Sequence, residues 1–149
     1  MRSVFPRKLF VEVVDGEFNR SRRFGHTMSL LAIHLPDATE QIARQVADFL
    51  NRNVRQYDLV TVADPKTIVI MFPQTGAIRR VAARQRIATE LLESNNLPFP
   101  RQRVLFAEES PDVVVSDRTG EEIVKDLVMR AQAGEIDPET ELQQIETSS

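Results

Sequence analysis

Residues 58–72 read DLVTVADPKTIVIMF. Two runs rich in β-branched residues, Asp58–Val62 and Thr67–Phe72, flank the segment Ala63-Asp64-Pro65-Lys66. β-branched residues favour strands, and Asp followed by Pro favours the opening of a tight turn. The stretch therefore predicts a β-hairpin.

The chain before the hairpin predicts a helix, a strand and a second helix. Apolar residues recur at helical spacing from about Pro6 to Arg23, and Ser29–Leu35 is a short, nearly continuous apolar run typical of a buried strand. Asp37 with Glu40 three residues later resembles a capping box, which starts a helix that continues to about Asn53.

The chain after the hairpin begins with a long helix, predicted from about Thr75 to Ser94. Four arginines are assigned to its exposed face: Arg79, Arg80, Arg84 and Arg86. A strand at Val104–Ala107, a short edge strand at Val113–Val115 and a final helix capped by Thr119 with Glu122 follow.

The resulting order is α–β–α–β–β–α–β–α, which contains the β-α-β-β-α-β unit of ferredoxin-like folds. We therefore predict an α+β fold, with a ferredoxin-like or nucleotide-cyclase-like antiparallel sheet and helices packed against it. The predicted core is drawn from the strands and the helix faces that cover them: Leu31, Ile33, Phe49, Leu50, Ile68, Ile70, Ile87, Leu91 and Val104.

Length and charge limit the class of protein. The 149 residues, 42% of them hydrophobic, suit one globular domain, which we assign to residues 1–134, followed by an acidic tail at 135–149 that we expect to be disordered. The net charge of -3 argues against nucleic acid as a partner, and no apolar run is long enough to cross a membrane. The absence of cysteine favours a cytoplasmic location.

Several segments in order resemble the GGDEF domain, the diguanylate cyclase module of bacterial signalling. They are Arg20-Ser-Arg-Arg-Phe-Gly25 with the strand after it, Arg55-Gln-Tyr-Asp58 with the hairpin and Pro73, and Ala83-Arg-Gln-Arg86. The resemblance covers about residues 5–134 and implies the fold of that family.

The family's catalytic residues are absent at the matching positions. Asp64-Pro-Lys-Thr-Ile68 stands where the family has Gly-Gly-Asp-Glu-Phe, and His34 and Pro36 stand where it has metal-binding carboxylates. Proline has no N–H to offer a phosphate, and a lysine repels the Mg²⁺ that phosphoryl transfer requires. The sequence therefore predicts a protein that is not an enzyme, with no catalytic residue, no metal site and no cofactor.

The Arg55-x-x-Asp58 pair does match the family. The resemblance implies an inhibitory site for cyclic di-GMP, made by Arg55 and Asp58 with Arg86 on the long helix. An arginine fork suits phosphate or a guanine edge, and a carboxylate accepts hydrogen bonds from guanine. The first hypothesis is an inactive signalling module that binds cyclic di-GMP through these three residues.

Two alternatives remain open. An arginine at a helix end and an aspartate at a strand start also make ordinary capping contacts in many proteins. The first alternative is therefore a domain that binds no nucleotide and serves as a scaffold for a partner protein or for self-association. The third reading, a cyclase with rearranged metal ligands, is disfavoured by Pro65 and Lys66.

Overall fold

The computed structural model describes residues 3–112 and 117–140. It contains the predicted order of helices and strands: α1 (Arg7–Phe24), β1 (Ser29–His34), α2 (Glu40–Asn53), β2 (Leu59–Asp64), β3 (Thr67–Phe72), α3 (Ala77–Glu93), β4 (Leu105–Glu109) and α4 (Gly120–Gln132). The predicted edge strand at Val113–Val115 lies outside the described residues.

The strands form one antiparallel sheet in the order β2-β3-β1-β4. The register pairs Ile33 with Ile68 across β1 and β3, and Ala32 with Ala107 across β1 and β4. The predicted hairpin and the predicted α+β class are therefore confirmed. Because β1 and β3 lie inside the sheet, both are buried along nearly their whole length, as their apolar runs indicate.

Helices cover both faces of this sheet. Leu31, Ile33 and Ile70 point to the face that packs against α2 and α3, whereas Leu30 and Ala32 point to the face covered by α1 and α4. This division follows from the alternation of side chains along a strand. Every predicted core residue is buried except Phe49, which is half-buried.

Helix ends correct one detail of the sequence reading. Asp37 is not the cap of α2, because Thr39 occupies that position and its hydroxyl accepts a hydrogen bond from the Ile42 backbone N–H at 3.1 Å. Either residue type satisfies the free N–H groups of a first helical turn, so composition alone did not separate them. The predicted capping box of Thr119 and Glu122 is present at α4.

Residues beyond Gly134 also contact the domain. The backbones of Ile136 and Phe106 exchange two hydrogen bonds, at 2.8 and 2.9 Å, and Glu135 pairs with Arg130. The boundary at 134 stays a prediction, and residues 141–149 of the predicted tail lie outside the described part of the chain. Within residues 3–112 and 117–140, no helix combines the length and apolar character that crossing a bilayer requires.

The two ends of the sheet carry different groups and are named separately below. The hairpin end comprises the β2–β3 turn at Asp64–Lys66 and the adjacent end of β1 at His34. The arginine end is the opposite one, where α2 leads into β2 through residues 54–58 and β3 leads into α3 through residues 73–76.

Candidate ligand-binding site

Arg55 and Asp58 form a close pair at the arginine end. The Arg55 backbone N–H donates to Asp58 Oδ2 at 2.9 Å, and Arg55 Nη2 donates to Asp58 Oδ1 at 2.9 Å. The Asp58 side chain is only 2% exposed, whereas that of Arg55 is 47% exposed. Asp58 therefore binds one edge of the Arg55 guanidinium group, while the Arg55 side chain remains about half exposed at the surface.

Thr75 is a second anchor for Arg55, and the sequence reading did not single it out. Arg55 Nη2 donates to Thr75 Oγ1 at 2.6 Å, and the Thr75 hydroxyl donates in turn to the Pro73 carbonyl oxygen at 2.9 Å. The only sequence signal is a hydroxyl residue at the predicted start of the long helix, two residues before α3 begins. The turn from β3 to α3 thus fixes the direction of the arginine.

The three residues predicted to bind ligand line one pocket. Arg55, Asp58 and Arg86 surround a pocket of about 430 Å³, together with Thr75 and Arg79. We call it the small pocket. The structure therefore brings the predicted residues together, and it adds two polar side chains, those of Thr75 and Arg79, to them.

A larger pocket lies beside the first. It has a volume of about 940 Å³ and is lined by Glu17 and Arg20 of α1, by Tyr57, and again by Arg55 and Arg79. We call it the large pocket. The tyrosine ring is prominent there, since Tyr57 is 73% exposed. Arg55 and Arg79 line both pockets, so these two arginines form the boundary between them.

Two of the arginines assigned to the exposed face of the long helix are not exposed. Arg84 is 6% exposed, and the Arg80 side chain is 13% exposed. Both lie beside Glu108 of β4, with Nε to Oε2 distances of 3.4 Å for Arg80 and 3.1 Å for Arg84. Glu108 pairs with Leu31 across the sheet and so points to the face that α3 covers, which explains the burial of its partners.

The hairpin end has a different arrangement, in which polar groups bind one another. His34 Nδ1 and Thr67 Oγ1 are 2.9 Å apart, and burial lowers the pKa of His34. Asp64 accepts from the Lys66 backbone N–H at 2.9 Å and from the Gln132 side chain at 2.7 Å. In the part of the chain that the structure describes, no three acidic, histidine or cysteine side chains come together as a metal site would require.

Comparison with solved structures identifies the fold. The GGDEF domain of DgcB from Caulobacter crescentus, solved with c-di-GMP, is 18% identical, with a TM-score of 0.63 over 87% of this chain and 80% of that one. The chain has the fold of a GGDEF domain. The GGDEF domain of YfiN (TpbB) from Pseudomonas aeruginosa is 10% identical, with a TM-score of 0.70 over 89% of this chain and 84% of that one.

Diguanylate cyclase SiaD from Pseudomonas aeruginosa, solved with its activator SiaC, shares this GGDEF fold. It is 17% identical, with a TM-score of 0.62 over 88% of this chain and 53% of that one. No protein-family model and no curated protein sequence matches the chain.

These neighbours overturn the prediction that the chain is not an enzyme, because the GGDEF fold they share with it is that of diguanylate cyclases. The physical reason is that the prediction rested on five residues at and after the hairpin turn, Asp64–Ile68, together with His34 and Pro36. Side chains missing from one segment do not establish loss of activity, since neighbouring segments of a fold also contribute to its sites.

Proposed function

We propose that this chain is a cyclic di-GMP signalling domain that binds cyclic di-GMP at the arginine end. The observation that carries the proposal is that Arg55 and Arg79 line both of two adjacent pockets. Cyclic di-GMP consists of two guanine bases joined to one ring that contains two phosphates. Its charge is central and its bases are lateral, which matches two pockets that meet at a pair of cations.

The arginine pair is suited to the phosphates. Guanidinium groups recognise phosphate oxygens through paired N–H donors, and the geometry is most effective when the arginine is already oriented. Arg55 is oriented by Asp58 and Thr75 while its side chain stays 47% exposed. In this proposal Asp58 acts through Arg55, because its own carboxylate is buried and occupied by that arginine.

The two pockets are suited to the bases. Tyr57 offers an exposed ring in the large pocket, and aromatic rings stack on nucleobases of any identity. Arg86 lines the small pocket, where it is the third residue predicted for this site. The fold is also that of DgcB, whose GGDEF domain was solved with c-di-GMP, and this likeness supports the proposal.

Calorimetric titration of the full chain with cyclic di-GMP tests the proposal. We expect binding by the wild type, and an affinity reduced about ten- to a hundredfold in Arg55→Ala, since a hydrogen bond from a charged group contributes about 1.5–3 kcal/mol. Arg44→Ala is the matched control, because Arg44 is an exposed arginine of α2 that lines a separate pocket beside the hairpin.

The proposal fails if the folded wild type shows neither heat of binding nor a shift in melting temperature at millimolar cyclic di-GMP. It also fails if Arg44→Ala weakens binding as much as Arg55→Ala does. Circular dichroism of each variant checks that the fold is retained.

A second candidate function is binding of a partner protein or of a second copy of the chain. It is favoured by three exposed apolar or aromatic side chains: Phe24 at the end of α1, Tyr57 at the arginine end and Ile78 in the first turn of α3, with exposures of 63, 73 and 89%. SiaD, of which this chain covers 53%, was solved with its activator SiaC, so one protein that contains this fold has a protein partner. An Ile78→Ser variant tests this function. Self-association measured by light scattering, or capture of a partner protein, should decrease, while the affinity for cyclic di-GMP should stay unchanged.

A further inference from the structure

Glu17 of α1 is a buried carboxylate that its surroundings leave incompletely satisfied. Its side chain is 9% exposed, and its nearest cation is Arg20, with 3.8 Å between Glu17 Oε2 and Arg20 Nη1. Within the described residues, Glu17 Oε1 accepts no hydrogen bond. A buried carboxylate oxygen without a donor is destabilising, so native proteins rarely keep one without a reason.

The position of Glu17 gives that reason. It lines the large pocket together with Arg55, Tyr57 and Arg79. A base stacked on Tyr57 would therefore lie in a pocket lined by a carboxylate group, one oxygen of which is shielded from solvent and not used by the protein itself. The cations along this pocket also favour a ligand that brings phosphate with the base.

The chemistry of a carboxylate selects among bases. An ionised carboxylate only accepts hydrogen bonds, through two adjacent oxygens. Guanine presents two neighbouring donors on one edge, its N1–H and its exocyclic amine. Adenine presents one donor beside an acceptor nitrogen, which faces a carboxylate oxygen unfavourably.

We propose that Glu17 is the specificity-determining residue of the large pocket and makes it select guanine over adenine. This inference rests on the proposed function and goes beyond it, because it names the residue that reads the base. Asp58, the carboxylate that the sequence suggested for this role, has its oxygens occupied by Arg55. Glu17 is the carboxylate among the described residues lining the two pockets that retains an unused acceptor.

The competing explanation is that Glu17 serves only as the ion-pair partner of Arg20. The Arg20 side chain is 64% exposed, and its separation of 3.8 Å from Glu17 is too long for a hydrogen bond. The two explanations differ in one measurable quantity, which is the ratio of affinities for cyclic di-GMP and cyclic di-AMP.

Calorimetry with both dinucleotides, on the wild type, Glu17→Gln and Arg20→Ala, tests the inference. We expect the wild type to prefer cyclic di-GMP by at least about tenfold. Glu17→Gln should lower the affinity for cyclic di-GMP about ten- to a hundredfold. It should also bring the affinities for the two dinucleotides within a few fold of each other, because an amide both donates and accepts hydrogen bonds. Arg20→Ala should leave the preference for cyclic di-GMP in place.

A third ligand keeps the test independent of any variant that fails to fold. Cyclic di-IMP lacks the exocyclic amine, so it should bind the wild type about tenfold more weakly than cyclic di-GMP. Equal affinities for these two ligands would overturn the role of Glu17, as would an unchanged preference in folded Glu17→Gln. Both results leave the proposed function intact. Failure of the wild type to bind any of the three ligands would overturn the proposed function and this inference together.

Discussion

The two ends of the sheet differ in how their polar groups are used. At the hairpin end, Asp64 accepts from Lys66 and Gln132, and His34 contacts Thr67, so the polar groups are engaged by one another. At the arginine end, Arg55 is hydrogen-bonded by Asp58 and Thr75, yet its side chain remains half exposed beside two pockets. Both ends border a pocket, so what distinguishes the arginine end is a side chain that is both anchored and exposed, rather than charge or the presence of a cavity alone.

The largest effect should come from the core that both ends share. Ile70→Ala should lower the free energy of unfolding by about 2–5 kcal/mol, because Ile70 is fully buried between the sheet and its helices. Arg79→Ala, at an exposed position of the arginine end, should change it by no more than about 0.5 kcal/mol.

Urea denaturation of both variants checks this prediction, and Arg79→Ala should still lose affinity for cyclic di-GMP. Equal losses of stability in the two variants would contradict the assignment of β3 as a central strand. Such a result would also contradict the distinction between a core that supports both ends and surface residues that contribute little to stability.

A smaller effect should come from the anchor of Arg55. Thr75→Val removes the hydroxyl that accepts a hydrogen bond from Arg55 Nη2. The variant should bind cyclic di-GMP roughly three- to tenfold more weakly than the wild type, whereas Thr75→Ser, which keeps the hydroxyl, should retain the affinity. Thr67→Val is the matched control, since it removes a buried hydroxyl at the hairpin end that contacts His34. The comparison between the ends fails if Thr67→Val reduces the affinity as much as Thr75→Val does.

The smallest effect concerns the pH dependence of stability at the hairpin end. Burial lowers the pKa of His34 below its ordinary value of 6.5. As the pH falls below about 6.5, the unfolded chain therefore binds more protons than the folded chain. The free energy of unfolding decreases in that range, whereas above about pH 6.5 His34 has no effect on it.

His34→Gln should make the loss of stability between about pH 6.5 and 5.5 shallower, as measured by urea midpoints across that range. His26→Gln removes the other histidine of the chain and serves as the control. If the wild type and His34→Gln lose stability in parallel on acidification, the histidine is not the group that responds.

Much of the fold could be predicted because its signals are local. The hairpin, the order of the helices and strands and the buried strand β1 follow from periodicity and turn residues within short windows. The cap of α2 was assigned to Asp37 instead of Thr39 because both are capping residue types only two positions apart. The candidate site was predicted in part, since Arg55, Asp58 and Arg86 do line one pocket.

Local sequence patterns were enough to predict the helices and strands and to locate an arginine-rich segment and an Arg55-x-x-Asp58 pair. Tertiary packing sets which arginines face solvent, because Arg84 of α3 is buried beside Glu108, a residue of the distant strand β4. Tertiary packing likewise makes Glu17 and Tyr57 line the same pocket, although 40 positions separate them in the sequence. Elements form from interactions between neighbours in the chain, whereas a pocket forms from packing between distant segments, whose side-chain environment no local pattern encodes.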